Sequence, residues 1–104
     1  MSKQSVEKIQ NLIKSKQVFV ASKSYCPYCR ASKQLLDEIN ANAYVIELDQ
    51  ESDGGDLQDA LASITGQRTV PNIFIGGEHI GGNTDLQALG KKAITEKIKA
   101  AASA

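Results

Sequence analysis

Tryptophan is absent from these 104 residues, and the chain has only two phenylalanines, three tyrosines, two prolines, two cysteines and one histidine. Each scarcity excludes something. With 12 basic against 12 acidic residues the formal charge is zero, so no global field draws the chain to nucleic acid or an anionic membrane. The few aromatics offer little surface for stacking bases. No apolar run approaches the roughly 20 residues of a membrane-spanning helix. A tetrahedral zinc site takes four ligands, and two cysteines with one histidine cannot complete one within a single chain. Repeats, linkers and low-complexity segments are also missing, so residues 1–104 read as one domain of a size that buries its own core.

Only eight residues at the start bear on location. Met1-Ser2-Lys3-Gln4-Ser5-Val6-Glu7-Lys8 has charges where a secretory signal carries an apolar run, and it is not an Arg-rich, acid-poor transit sequence. The expected setting is cytoplasmic and reducing. There, a Cys-x-x-Cys pair is catalytic or metal-binding rather than structural.

Along the chain, Val6, Ile9, Leu12 and Ile13 recur at helical spacing, predicting an amphipathic helix over 4–16. Val18-Phe19-Val20-Ala21 reads as a strand buried on both faces. Pro27 then suits the first turn of a helix that carries Ala31, Leu35, Leu36 and Ile39 and ends near Asn40–Asn42. Tyr44-Val45-Ile46-Glu47-Leu48 completes a βαβ unit, whose strands should be parallel. In the polar stretch Asp49–Asp56, Gly54-Gly55 reads as a breaker, and Asp53 or Asp56 suits the start of the next helix. That helix carries Leu57, Ala60, Leu61 and Ile64 and stops at Gly66. Asn72–Ile75 and Glu78–Ile80 form an antiparallel hairpin through Gly76-Gly77. After Gly81-Gly82, Asn83 or Thr84 can cap a helix with Leu86 and Leu89, which Gly90 separates from a last one holding Ala93, Ile94 and Ile98. The order α-βαβ-α-ββ-α predicts an α/β fold. Its four-stranded mixed sheet, a parallel βαβ plus an antiparallel hairpin, would be flanked by about five helices.

Both cysteines lie in Lys23-Ser24-Tyr25-Cys26-Pro27-Tyr28-Cys29-Arg30, at the junction of the first strand and the second helix. Strand ends of this kind are where open α/β sheets place their ligand sites. Only the thiolate is a useful nucleophile. Cys26 sits at a helix start, where unpaired N–H groups and the helix dipole favour negative charge. Lys23 and Arg30 flank it and should tune its pKa downward, and Cys29 can donate a hydrogen bond back to its sulfur. Cys29, one turn in and facing the core, is the protected partner. The predicted roles are attack by Cys26 and resolution by Cys29. A pair of inert structural thiols would need neither basic neighbours nor a helix start.

Cys26-Pro27-Tyr28-Cys29 behind Lys23, then Gln67-Arg68-Thr69-Val70-Pro71, then Gly81-Gly82-Asn83-Thr84-Asp85-Leu86 together resemble the dithiol glutaredoxins over essentially the whole chain. The N-terminal helix resembles that of eukaryotic cytosolic members. The resemblance implies a thioredoxin fold with Pro71 in cis, leaving the Val70 backbone beside Cys26 to pair with an extended peptide. Glutathione would be the reducing cosubstrate, with no permanently bound cofactor and no metal. One of its carboxylates would meet Lys23 and Gln67, with Arg68 nearby. The other would meet the helix start at Thr84 and Asp85, and Thr69 and Tyr28 would line the rest of the wall. Other partners would be glutathionylated and disulfide-containing proteins, met by a monomer. Many vertebrate-type members carry a further cysteine where Asn83 stands, so a simple redox cycle without side disulfides is expected here. His79, the lone histidine, falls in the hairpin and the mechanism does not need it.

Two rivals remain at this level. Thioredoxins share the fold but usually carry Trp-Cys-Gly-Pro-Cys, which this chain lacks. The alternative from another class is a module holding a glutathione-ligated [2Fe–2S] cluster between two protomers. Pro27 weighs against it, because its ring removes an N–H and crowds the site.

Overall fold

The computed structural model describes residues 2–103. Helix α1 spans Lys3–Ser15 and is capped by Ser2, whose side chain accepts from the Ser5 N–H. Strand β1 (Val18–Ser22), helix α2 (Pro27–Glu38) and strand β2 (Tyr44–Glu47) follow. Helix α3 is Gly54–Thr65, strands β3 and β4 are Asn72–Ile75 and Glu78–Gly81, and α4 runs Asn83–Ser103 with a break at Gly90 (φ 79°, ψ 162°). Counting the two halves of α4 separately, the sheet is flanked by the five helical segments the sequence predicts.

The sheet order is β2-β1-β3-β4. β1 pairs with β2 in parallel and with β3 antiparallel. The period-two geometry of β1 explains why its run is unbroken by polar residues. Phe19 and Ala21 enter one core with Ile9 of α1 and Leu57, Ala60 and Leu61 of α3. Val18 and Val20 enter the other with Leu35 and Leu36 of α2 and Leu86 and Ile94 of α4. Phe19 also stacks on Phe74 of β3, with ring centroids 5.8 Å apart.

Two local expectations change. Leu48 leaves β2 and enters a short 3-10 turn, Leu48–Gln50. Gly54-Gly55 does not break a helix but opens α3. The reason at Gly54 is steric: a Cβ there would overlap the Leu48 carbonyl oxygen. A glycine that looks like punctuation is instead a close approach between α3 and the 3-10 turn. The other turn glycines behave as predicted. Gly66 closes α3 in the left-handed region (φ 78°), and Gly76 and Gly77 (φ 59° and 81°) make a two-residue hairpin with both central residues at positive φ.

Candidate active site

Cys26 is the N-cap residue of α2 and Pro27 its first helical position. Proline costs nothing at that position, since its missing N–H would have had no partner inside the helix. The Cys26 sulfur therefore occupies the place of a capping oxygen. It accepts from the Cys29 N–H at 3.3 Å and lies 4.0 Å from the Val70 carbonyl oxygen. Val70–Pro71 is cis. Cys26 is half-buried, Cys29 is fully buried, and both are thiols.

Burial by itself pushes the Cys26 thiol up. Hydrogen bonds from the Cys29 backbone, the Cys29 side chain and the Tyr28 backbone, with the charge of Lys33, outweigh it and leave the pKa below its ordinary value. Lys33, two turns further along α2, adds its charge to those of Lys23 and Arg30 to which the sequence points. Lys23 also acts on Asp49, whose carboxylate its charge helps to keep ionised. Arg30 is exposed on α2 and gives its backbone N–H to the Cys26 carbonyl at 3.1 Å. Cys29 moves the other way: burial raises its pKa, partly offset by the Lys23 backbone N–H and the Ser22 side chain.

Beside the thiol opens a cavity of about 380 Å³, lined by Tyr28, Gln67, Thr69, Val70, Pro71, Gly82, Asn83, Thr84 and Asp85. Seven of the predicted glutathione residues meet there; Lys23 is the predicted residue outside the lining. The lower wall is the cis-proline loop, which Gln67 braces by donating from Nε2 to the carbonyls of Thr69 (3.1 Å) and Pro71 (3.0 Å). Arg68 turns outward to Asp59, at 2.9 Å. The upper wall is the start of α4. Gly82, rather than Asn83 or Thr84, takes the cap position: its carbonyl accepts from Leu86 N–H, and its N–H donates to Asp85 Oδ2 at 2.9 Å. This is the return arm of a capping box. It leaves the first-turn N–H groups without intrahelical acceptors, beside the cavity. Asn83 is engaged sideways, accepting from Ser32 Oγ of α2 at 2.8 Å and from Gln87 at 3.2 Å.

The sequence profile of the glutaredoxin family matches residues 18–80. A glutaredoxin of Vernicia fordii is 64% identical over 75 residues, 72% of each chain. Glutaredoxin-1 of Saccharomyces cerevisiae is 43% identical over 102 residues, 94% of this chain and 93% of its own. The chain belongs to the glutaredoxin family. Among solved structures, the buckwheat glutaredoxin–glutathione complex superposes with a TM-score of 0.91 at 44% identity, covering 96% of this chain and 92% of that one. The thioredoxin fold and the activity of a glutathione-dependent thiol–disulfide oxidoreductase follow.

Several residues that shape this glutaredoxin's site escape a reading of its motifs. Asp49, in the 3-10 turn, accepts from both the backbone N–H (2.9 Å) and the hydroxyl of Ser24 and so anchors the loop ahead of Cys26. The signal is the parallel register: Ser22 pairs with Glu47, so residues two further along each chain fall side by side. Lys33 pairs with Glu47 Oε2 at 2.8 Å. Asn72, fully buried, donates toward Thr65 Oγ1 and the Gln67 carbonyl (3.4 Å each). Its Oδ1 therefore accepts, and His79 Nε2, 2.8 Å away, carries the proton. His79 is exposed and stands against Phe74 of β3.

Proposed function

We propose that this glutaredoxin reduces protein–glutathione mixed disulfides and other disulfides, with Cys26 attacking and Cys29 resolving. The observation that carries this reading is the placement of the Cys26 sulfur. It caps α2 with a lowered pKa, beside a cavity whose far wall is a helix start. The Cys26 thiolate attacks the glutathione sulfur of a glutathionylated protein; the protein thiolate leaves and takes a proton. A second glutathione thiolate attacks the glutathione sulfur of the enzyme mixed disulfide, giving oxidised glutathione and Cys26 thiolate.

For a protein disulfide, Cys26 attacks one sulfur and Cys29 thiolate then attacks Cys26, expelling the second substrate thiolate. Two glutathiones reopen the Cys26–Cys29 disulfide and leave as oxidised glutathione. Family potentials of about −200 to −230 mV lie close to the glutathione pool, so the direction follows the pool.

Glutathione, a cosubstrate rather than a resident cofactor, would occupy the cavity with one carboxylate on the α4 amides at Thr84 and Asp85. Asp85, at the same point, suits the substrate's ammonium group. Lys23 from outside the lining, and Gln67 once one of its amide N–H groups leaves a loop carbonyl, would meet the other carboxylate, while Tyr28, Thr69 and the Val70–Pro71 backbone hold the peptide between them. We read the protein as a cytoplasmic monomer.

The test is glutathione-dependent reduction of a glutathionylated peptide by Cys26→Ser and Cys29→Ser. Cys26→Ser loses turnover, and Cys29→Ser keeps it while losing activity on protein disulfides. Turnover surviving in Cys26→Ser would overturn the assignment.

A further inference from the structure

Ser22 closes strand β1 and is fully buried, yet its Oγ has no hydrogen-bond partner among the described residues. A buried hydroxyl without a partner is costly, and alanine would fill the same place without that cost. Its direction follows from the strand. Val18 and Val20 pack against α2 and α4 while Phe19 and Ala21 pack on the opposite face, so Ser22 continues the set that faces α2. Cys29 is the first of the α2 residues buried toward that face, with Ser32, Leu35 and Leu36 after it.

The end of β1 thus aims two donors at one sulfur: the Ser22 hydroxyl and the Lys23 backbone N–H both favour the charged form of Cys29. In the dithiol protein the Ser22 contact falls short of hydrogen-bond geometry. A thiol is a weak acceptor and gives the hydroxyl little reason to close; a thiolate is a strong one.

We propose that Ser22 is a positioning residue for the second thiol: its hydroxyl completes a hydrogen bond to the Cys29 sulfur when that sulfur carries negative charge. The Cys29 sulfur is charged twice in the cycle. It attacks Cys26 as a thiolate, forming the S–S bond while the substrate thiolate departs. It also leaves as a thiolate when glutathione attacks the Cys26 sulfur, and takes a proton from water afterwards. A donor absent from the thiol state and present in the thiolate state favours both steps selectively.

The size of the effect can be bounded. Cys29 is a buried thiol whose pKa burial pushes up from its ordinary value. If losing the donor cuts the thiolate fraction about tenfold, the gain in intrinsic nucleophilicity (Brønsted slope about 0.4–0.5) returns about threefold, leaving closure about three- to fourfold slower.

The inference rests on Cys29 being the resolving thiol, and two measurements keep them apart. The first charges Cys26 of the full chain with hydroxyethyl disulfide and follows formation of the Cys26–Cys29 disulfide in wild type, Ser22→Ala and Ser22→Thr. The second titrates the Cys29 Cβ by NMR in a Cys26→Ser background, with and without Ser22→Ala. Ser22→Ala should slow closure three- to fourfold and move the Cys29 titration upward, and Ser22→Thr, which keeps the hydroxyl, should restore both. An unchanged Cys29 titration in Ser22→Ala overturns the role of Ser22. Failure of the wild type to close overturns the resolving role of Cys29, and the titration still decides Ser22.

Discussion

The Cys29 backbone N–H donates to the Cys26 sulfur at 3.3 Å, so the residue that carries the second thiol also stabilises the first. Most of that support belongs to the backbone rather than to the Cys29 side chain.

Replacing Cys29 with serine should therefore leave Cys26 acidic. The helix start and the N–H groups of residues 28 and 29 survive the change. The pH profile of Cys26 alkylation should still turn below the ordinary 9.0. A return to that value would mean that the second thiol, not the helix start, makes the nucleophile.

Lys33 and Glu47 should shift the same profile in opposite directions. Lys33 lowers the Cys26 pKa and is paired with Glu47, both groups being largely shielded from solvent. Lys33→Gln removes the helpful charge and raises the profile. Glu47→Gln removes the counter-charge and lowers it. Each change in alkylation rate near neutral pH should stay within about threefold, because charge pairs near a surface are weakly coupled. Shifts of the same sign would contradict this arrangement.

Asp49 should make the loop before Cys26 sensitive to acid. The Ser24 hydroxyl, then its backbone N–H, hold the Asp49 carboxyl below its ordinary 3.8. The folded state consequently binds fewer protons there than the unfolded state, so the contribution is complete above about pH 3.8 and lost as pH falls through the lower folded value. Urea unfolding across that acid range should show a shallower pH slope for Asp49→Asn than for wild type. Parallel slopes would assign the acid sensitivity elsewhere.

Neighbouring glycines should respond oppositely to alanine. At Gly54 a Cβ meets the Leu48 carbonyl, whereas at Gly55 nothing lies within 4 Å. Gly54→Ala should cost about 1–3 kcal/mol, as the close approach has to open. Gly55→Ala, inside α3, should stabilise by about 0.4–1 kcal/mol through the unfolded chain. Thermal or urea melts of the two variants test this directly.

A parallel case occurs at Gly81, whose φ of 119° excludes most side chains and whose Cβ would strike the Asp85 carboxylate. Gly81→Ala should cost about 1–3 kcal/mol and dislodge Asp85 from the Gly82 N–H. Glutathione affinity, measured by calorimetry, should fall with it; unchanged affinity would show that the α4 start does not depend on this cap.

Local physics was legible in the chain alone. The unbroken apolar run at Val18–Ala21 announces a strand buried on both faces, and Pro27 after Cys26 announces a helix start with sulfur at its cap. Two glycines between short apolar runs announce the hairpin. Each of these rests on interactions within a turn or two of the backbone, where neighbouring residue types settle the outcome. Gly54-Gly55 misleads for the complementary reason: glycine looks the same whether it breaks a helix or admits another segment's carbonyl.

Register and packing decided the rest. Ser24 meets Asp49 because β1 and β2 align with Ser22 opposite Glu47, a choice no single segment specifies. Ser32 and Asn83, 51 residues apart, join α2 to the start of α4. Lys33, seven residues along α2 from Cys26, contributes charge at the thiol because helical side-chain direction brings a residue distant in sequence within reach. The sequence determined that a reactive thiol stands at a helix start. The tertiary structure decided what surrounds it, since electrostatics and hydrogen bonding act through space and the folded chain sets those distances.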